Sequence, residues 1–203
     1  MSANPALVYI VDDEEPVRDS LALLLRSVGI ATRAFPDGGS FLAAYSGEMR
    51  GCIVVDVRMP RIGGLELQQE LNRRGCTLPL IFMTGHGDVP MAVEAMRAGA
   101  LDFVQKPFND EDMIRRVQRA LEQNERDRAV LEARDELQRR IASLTPRERE
   151  IADRIVAGDA NKAIAIDLEL SERTVELHRA RIMQKMEARG LAHLVQMFLS
   201  LRH

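Results

Sequence analysis

Cysteine is scarce in this chain: Cys52 and Cys76 are the only two in 203 residues, both beside apolar runs and neither at metal-ligand spacing. That excludes a disulfide framework or a cysteine-built zinc site, and it fits buried thiols in a reducing compartment. Long apolar runs are missing as well. Nothing approaches the ~20 residues that span a bilayer and nothing resembles a signal peptide, so a soluble cytoplasmic protein with no membrane partner is expected. A basic surplus is also lacking. Net charge is −3, and residues 143–203 carry 10 Lys+Arg against 9 Asp+Glu, so any nucleic-acid surface must be local. The length suits two domains.

What is present is a set of short apolar runs that end abruptly on polar residues. Cys52-Ile53-Val54-Val55 ends on Asp56, Leu7 to Val11 on Asp12 and Asp13, Leu80 to Met83 on Thr84, and Leu101 to Gln105 on Lys106. Runs of this length, alternating with helix-length segments, predict buried strands of a parallel sheet with crossover helices. Ile30 to Phe35 predicts a further strand. In such sheets the ligand site lies outside the carboxyl ends of the strands, so Asp12, Asp13, Asp56, Thr84 and Lys106 should meet at one edge.

Local signals support that order. Pro16 suits the first turn of a helix carrying Leu21, Leu24 and Leu25, and Asp37 starts a helix burying Phe41. Arg58-Met59-Pro60-Arg61-Ile62-Gly63-Gly64 must be a loop, its glycines permitting close backbone approach over the cleft. Asp88 is expected to cap the helix that Gly99 ends. Lys106-Pro107 closes the last strand, with a cis bond one option.

Any one of these acids alone would read as a helix cap or a solvated loop residue. Together they form an acidic pair, a third acid, a hydroxyl and an ammonium on successive strand ends. Carboxylates clustered without His or Cys suit a hard cation, above all Mg²⁺. A carboxylate nucleophile, a metal for the incoming phosphoryl oxygens and an opposing lysine are what phosphoryl transfer requires.

Beyond Asp110 neither Gly nor Pro appears before Pro146, and Glu122/Arg126, Asp135/Arg139 and Glu136/Arg140 stand at i, i+4 spacing. A long helical connector is expected. Thr145-Pro146-Arg147-Glu148 predicts a capped helix start, Asn161 a short helix and Ser171 the cap of the next, with Val175, Ile182 and Met186 inward. The outer face of that last helix offers Thr174, His178, Arg179, Arg181 and Lys185. Two helices joined by a short turn, the second basic outside, are the parts of a helix-turn-helix DNA reader. The charge at Arg179, Arg181, Lys185 and Arg189 is expected to supply most phosphate contacts.

Asp12-Asp13, Asp56 with Met59-Pro60 and Gly63-Gly64, Thr84-Gly85 and Lys106-Pro107-Phe108 resemble the receiver domain of two-component response regulators. Leu144-Thr145-Pro146-Arg147-Glu148, Asn161-Lys162, Ile164-Ala165 and Ser171 to His178 resemble the LuxR/FixJ-type DNA-binding domain. The resemblance implies a flavodoxin-like (βα)5 α/β receiver over 1–122, a helical linker over 123–142 and an all-α LuxR-type helix-turn-helix domain over 143–203. It implies that Asp56 is phosphorylated by a sensor histidine kinase. Asp12, Asp13, Asp56 and the Arg58 carbonyl would form the Mg²⁺ site, Thr84 and Lys106 would hold the phosphoryl oxygens, and Phe103 would be the switch aromatic.

In the second domain it implies that Glu176, Leu177 and Ala180 lie nearest the bases of promoter DNA, with Lys162, Thr174, His178, Arg181 and Lys185 as further contacts. A homodimer formed on phosphorylation and RNA polymerase complete the implied partners. One residue departs from the family: Glu169 stands where Gly is common, which strains a left-handed turn by about 1 kcal/mol. A phosphoaspartate hydrolase would leave the carboxyl-terminal helices unexplained, and RNA-binding antiterminators lack these helix-turn-helix phrases.

Overall fold

The computed structural model describes residues 5–85 and 89–200. The chain divides into two compact units, Met1–Arg128 and Ala129–His203.

In the first unit, β1 (Leu7–Val11), β2 (Thr32–Phe35), β3 (Gly51–Asp56), β4 (Leu80–Thr84) and β5 (Asp102–Gln105) form one sheet in the order β2-β1-β3-β4-β5. Every pairing is parallel. Between the strands run α1 (Glu15–Ser27), α2 (Gly38–Ala44), α3 (Gly64–Arg73) and α4 (Val89–Arg97), and α5 (Asp110–Ala142) follows β5. Period-two alternation divides the strand residues between two apolar layers. Tyr9, Val11, Ile53, Val55 and Phe82 pack with Phe41, Leu67 and Leu71 on one face. Val8, Ile10, Cys52, Val54, Ile81 and Met83 pack with Leu21, Leu25, Met113 and Val117 on the other. Covered on both sides, β3 is buried from end to end, and burial pushes the Cys52 thiol up to about 12, which makes it inert.

The sheet order reverses between β1 and β3, so Asp12 and Asp56 emerge side by side at the switch point, where parallel sheets hold their ligands. Asp37 caps α2 by accepting the Ser40 amide at 2.7 Å, as its position in the sequence requires. The expected cap at Asp88 lies outside the described residues.

Two strand starts and the course of one helix differ from the sequence expectation. The strands β2 and β5 are shorter at their starts than the apolar runs that announce them. The expected linker over 123–142 is not a separate segment: α5 is one helix of 33 residues, acidic in its first turn and basic in its last, as the helix dipole favours. Asn124 belongs to the first unit, accepting the buried Gly51 amide at 2.9 Å through Oδ1 and donating to the Thr77 carbonyl at 3.4 Å. Leu137 and Ile141 pack on the second core instead, and Arg140 Nη1 donates to the Met186 carbonyl at 3.2 Å.

In the second unit α6 (Pro146–Ala157), α7 (Asn161–Asp167), α8 (Glu172–Met186) and α9 (Leu191–Leu199) enclose Ile151, Ile155, Ile164, Val175, Ile182, Met186, Leu194 and Phe198. The capping box at α6 is closed on both sides: Thr145 Oγ1 accepts the Glu148 amide at 3.2 Å and Glu148 Oε2 accepts the Thr145 amide at 2.8 Å. The turn from α7 to α8 passes through Glu169 at φ +54°, the left-handed geometry that Gly would adopt without strain. Arg147 Nη2 donates to the Leu168 carbonyl there.

Candidate functional site

At the carboxyl edge of the sheet, Lys106 reaches from the end of β5 to both buried acids. Its Nζ lies 2.7 Å from Asp12 Oδ2 and 2.8 Å from Asp56 Oδ1. The peptide bond after it, Lys106-Pro107, is cis. Asp12 Oδ1 accepts the Glu14 amide at 2.9 Å, and Asp56 Oδ2 accepts the Arg58 amide at 2.7 Å. Thr84 ends β4 as a buried residue beside them, and its carbonyl accepts the Lys106 amide. The loop after Asp56 folds back closely because residue 64 is Gly. A Cβ there would stand 2.4 Å from the Asp56 carbonyl oxygen and 2.9 Å from the Phe82 ring.

The charges of this cleft are not balanced. Burial, the largest influence, raises the Asp56 pKa, with the nearby Asp12 charge adding to it against the pull of Lys106. Burial alone would lower Lys106, but its hydrogen bonds to Asp12 and Asp56 outweigh it and the ammonium is raised. A simple ion pair would shift its two members apart, whereas these move together. Two carboxylates around one ammonium leave net negative charge, which adds to burial in raising Asp56 and keeps Lys106 protonated.

The expected metal ligands are only partly gathered. Asp12 and Asp56 converge on Lys106, while Asp13 is exposed at the mouth, and among the described residues no three acidic, His or Cys side chains are close enough to hold an ion. The donors are nonetheless all oxygen, two of them already meet at one cation, and negative charge remains to be met. That chemistry fits a hard divalent ion.

In the second unit, Arg173, Glu176, Leu177, Ala180 and Arg181 are exposed along one side of α8. Ser171, Arg173, Thr174, Glu176 and Leu177 line a shallow depression at its start. Leu177 is 52 % exposed, an uncompensated apolar contact surface on an otherwise polar helix face. Lys162 is exposed on α7.

Residues 8–118 match the family of response regulator receiver domains, and residues 142–198 match the luxR family of bacterial regulatory proteins. The transcriptional regulatory protein FixJ of Azorhizobium caulinodans is 50% identical over 192 residues, covering 95% of this chain and 91% of that protein. FixJ of Rhizobium meliloti is 47% identical over 193 residues, 95% of each chain. The chain is a FixJ-type response regulator.

Among solved structures, the response regulator StyR superposes with a TM-score of 0.92 at 39% identity, covering 97% of this chain and 100% of that one. Full-length FixJ from B. japonicum gives 0.60 at 41% identity, with 97% of each chain covered. This regulator is thus a transcription factor with a receiver and a LuxR-type DNA-binding domain, not a classical enzyme, and the sheet order is that of the flavodoxin-like receivers. Among the described residues no helix is long and apolar enough to cross a membrane.

In this FixJ-type chain the sequence-predicted cleft residues Asp12, Asp56, Thr84 and Lys106 do come together. Phe103 is half-buried, its ring 6.2 Å from that of Phe82. Of the residues expected to contact DNA, Lys185 already has protein partners, its ammonium donating to Glu148 Oε2 at 2.6 Å and to the Ser143 carbonyl at 3.1 Å. Arg179 is likewise held by Asn161 Oδ1 at 2.9 Å, and His178 is half-buried with Nδ1 enclosed. The buried face of α8 recruits these because they flank Val175, Ile182 and Met186. Reasoning from sequence missed Arg18, whose Nη1 donates to the Asp12 and Asp13 carbonyls at 2.8 and 3.0 Å. Its place one turn into the helix after an acidic pair was the available signal.

Proposed function

We propose that Asp56 is the phosphoacceptor of this response regulator and that a sensor histidine kinase is the donor. The observation that carries the reading is the 2.8 Å contact between Asp56 and Lys106 at the end of the central strand. Asp12 meets the same ammonium at 2.7 Å but is fully enclosed, whereas the Asp56 side chain keeps an exposed edge, which leaves Asp56 as the acid an incoming phosphoryl group can reach. An Asp56 carboxylate oxygen forms the new O–P bond as the donor's N–P bond breaks, and Lys106 and the Thr84 hydroxyl hold the transferred oxygens. Mg²⁺ held by Asp12, Asp13, Asp56 and the Arg58 carbonyl would neutralise charge on those oxygens. The only reactions catalysed are the protein's own phosphorylation and dephosphorylation.

Thr84 and Phe103 transmit the phosphoryl charge to the face made by α4, β5 and the start of α5, where Val89, Val93 and Met96 are exposed. Phosphorylation there drives homodimerisation, which needs only a few kcal/mol of differential stabilisation. The dimer presents two α8 helices to promoter DNA, with Glu176, Leu177 and Ala180 at base edges and Lys162, Thr174 and Arg181 at phosphates, and RNA polymerase as the downstream partner.

Incubation with a small phosphodonor and Mg²⁺, read by intact mass, tests the assignment. One phosphoryl group per chain is expected in the wild type and none in Asp56→Asn; full labelling of that variant rejects it. Sedimentation of the two forms tests dimerisation, which equal association constants would refute.

A further inference from the structure

The Arg18 guanidinium sits on α1, one turn past the acidic pair. Its Nη1 grips two successive main-chain carbonyls, those of Asp12 and Asp13, where the chain leaves β1 and sheet pairing no longer fixes the peptide. The two acids are otherwise held unequally. Asp12 is buried and fastened through both carboxylate oxygens, to the Glu14 amide and to Lys106. Asp13 is exposed, so the direction of its carboxylate depends on how its backbone is set.

We infer that Arg18 is a positioning residue for the acidic pair: by clamping both carbonyls it aims the Asp13 carboxylate at the point where a divalent cation joins Asp12 and Asp56. This rests on the Mg²⁺ reading above. The choice of acceptors supports it. A guanidinium drawn in by negative charge alone would take carboxylates, because charge-assisted fork pairs are the stronger bonds. Arg18 instead takes neutral carbonyls and leaves the Asp13 carboxylate for a metal. Outer contacts of this kind orient metal ligands without touching the ion, and their loss weakens binding by about 10- to 100-fold where the site is rigid.

Two effects of Arg18 on a dication oppose each other. Its positive charge repels the ion, while its clamp organises the ligands. Arg18 is half-buried at the rim, where water and salt screen the longer-range repulsion, so the clamp dominates. Removing the side chain therefore lowers cation affinity, the opposite of what a purely electrostatic role requires.

The test uses the full chain as wild type, Arg18→Gln and Arg18→Lys. Calorimetric titration with Mg²⁺ alone gives the dissociation constant, and the initial rate of phosphorylation by a small phosphodonor is followed against Mg²⁺ concentration. Arg18→Gln should raise the Mg²⁺ dissociation constant about tenfold and shift the half-saturating Mg²⁺ equally, with the limiting rate retained. Arg18→Lys, which can still donate to a carbonyl, should recover part of the affinity. Unchanged or tighter Mg²⁺ binding in Arg18→Gln overturns the inference, as does a fall in limiting rate without a shift in affinity. If the wild type binds no Mg²⁺, the cation reading itself fails, a result distinct from a difference between variants. Thermal midpoints separate all of these from misfolding, and Arg18→Lys keeps the comparison usable if Arg18→Gln is unstable.

Discussion

Lys185 Nζ on α8 lies 2.6 Å from Glu148 Oε2 in the first turn of α6. The same oxygen accepts the Thr145 amide that closes the capping box, so one buried carboxylate starts a helix and anchors the one proposed to face DNA. Lys185→Ala leaves that carboxylate short of a partner. Since Lys185 is itself partly exposed, the expected loss is about 1 kcal/mol of stability, with the salt slope of DNA binding changed by less than about one unit. Denaturation and DNA titrations at several salt concentrations check both. A full unit of slope lost at unchanged stability would return Lys185 to the phosphate contacts.

The same carboxylate makes the second unit acid-sensitive. The Lys185 ammonium, helped by the Thr145 amide, holds Glu148 down to about 2, well below an ordinary glutamate. A depressed acid contributes stability that is complete above its unfolded value near 4.5 and is lost as pH falls from there through about 2. Glu148→Gln should show a shallower loss of stability over that window, measured by thermal unfolding at stepped pH. A parallel pH profile in the variant would contradict the assignment.

Asp56 has the opposite sign. Burial raises its folded pKa, so its contribution to stability is greatest below the unfolded value near 3.8 and falls as pH rises through the folded value. Asp56→Asn should therefore melt at a higher temperature than wild type near neutral pH, with the gap closing in acid. A lower neutral melting point in Asp56→Asn would show that the ion pair with Lys106 outweighs burial.

The cleft was legible because parallel strands bring their carboxyl ends to one edge, so that separated phrases ending in Asp12, Asp56, Thr84 and Lys106 had only one place to meet. The caps at Asp37, Thr145 and Ser171 were legible because each is a local event of three or four residues. Contacts between distant residues were not. Charge along α8 could be counted from sequence, yet whether Arg179 or Lys185 faces outward depends on Asn161 and Glu148, which packing alone brings near. The point along α5 where one core hands over to the other was not legible for the same reason: an uninterrupted helical pattern carries no mark of where one core stops holding it and another begins.

Glu169 carries a left-handed backbone in the turn before α8. Glu169→Gly should relieve about 1 kcal/mol of strain, partly offset by the greater freedom of Gly in the unfolded chain, and so raise stability by up to that amount. Chemical denaturation checks it. A destabilised variant would mean that the Glu169 side chain does more for the turn than its backbone costs.

Glu176 is exposed on the face proposed to meet DNA, and it can accept from a cytosine amino group. Glu176→Ala should relax the preference at one base pair per half-site by about 1 to 3 kcal/mol. Binding to an operator library at two salt concentrations measures this, and an unaltered base preference rejects direct readout.

The buried amide of Asn124 decides where this protein can be cut. A fragment ended at residue 122 would keep every strand and every cleft residue, yet it would leave the Gly51 amide at the foot of β3 enclosed without its acceptor. An orphaned buried donor costs about 1 to 3 kcal/mol, here on the strand that carries Asp56 at its other end. A receiver excised after Arg128 retains the acceptor, and separates the chain where the two cores themselves part.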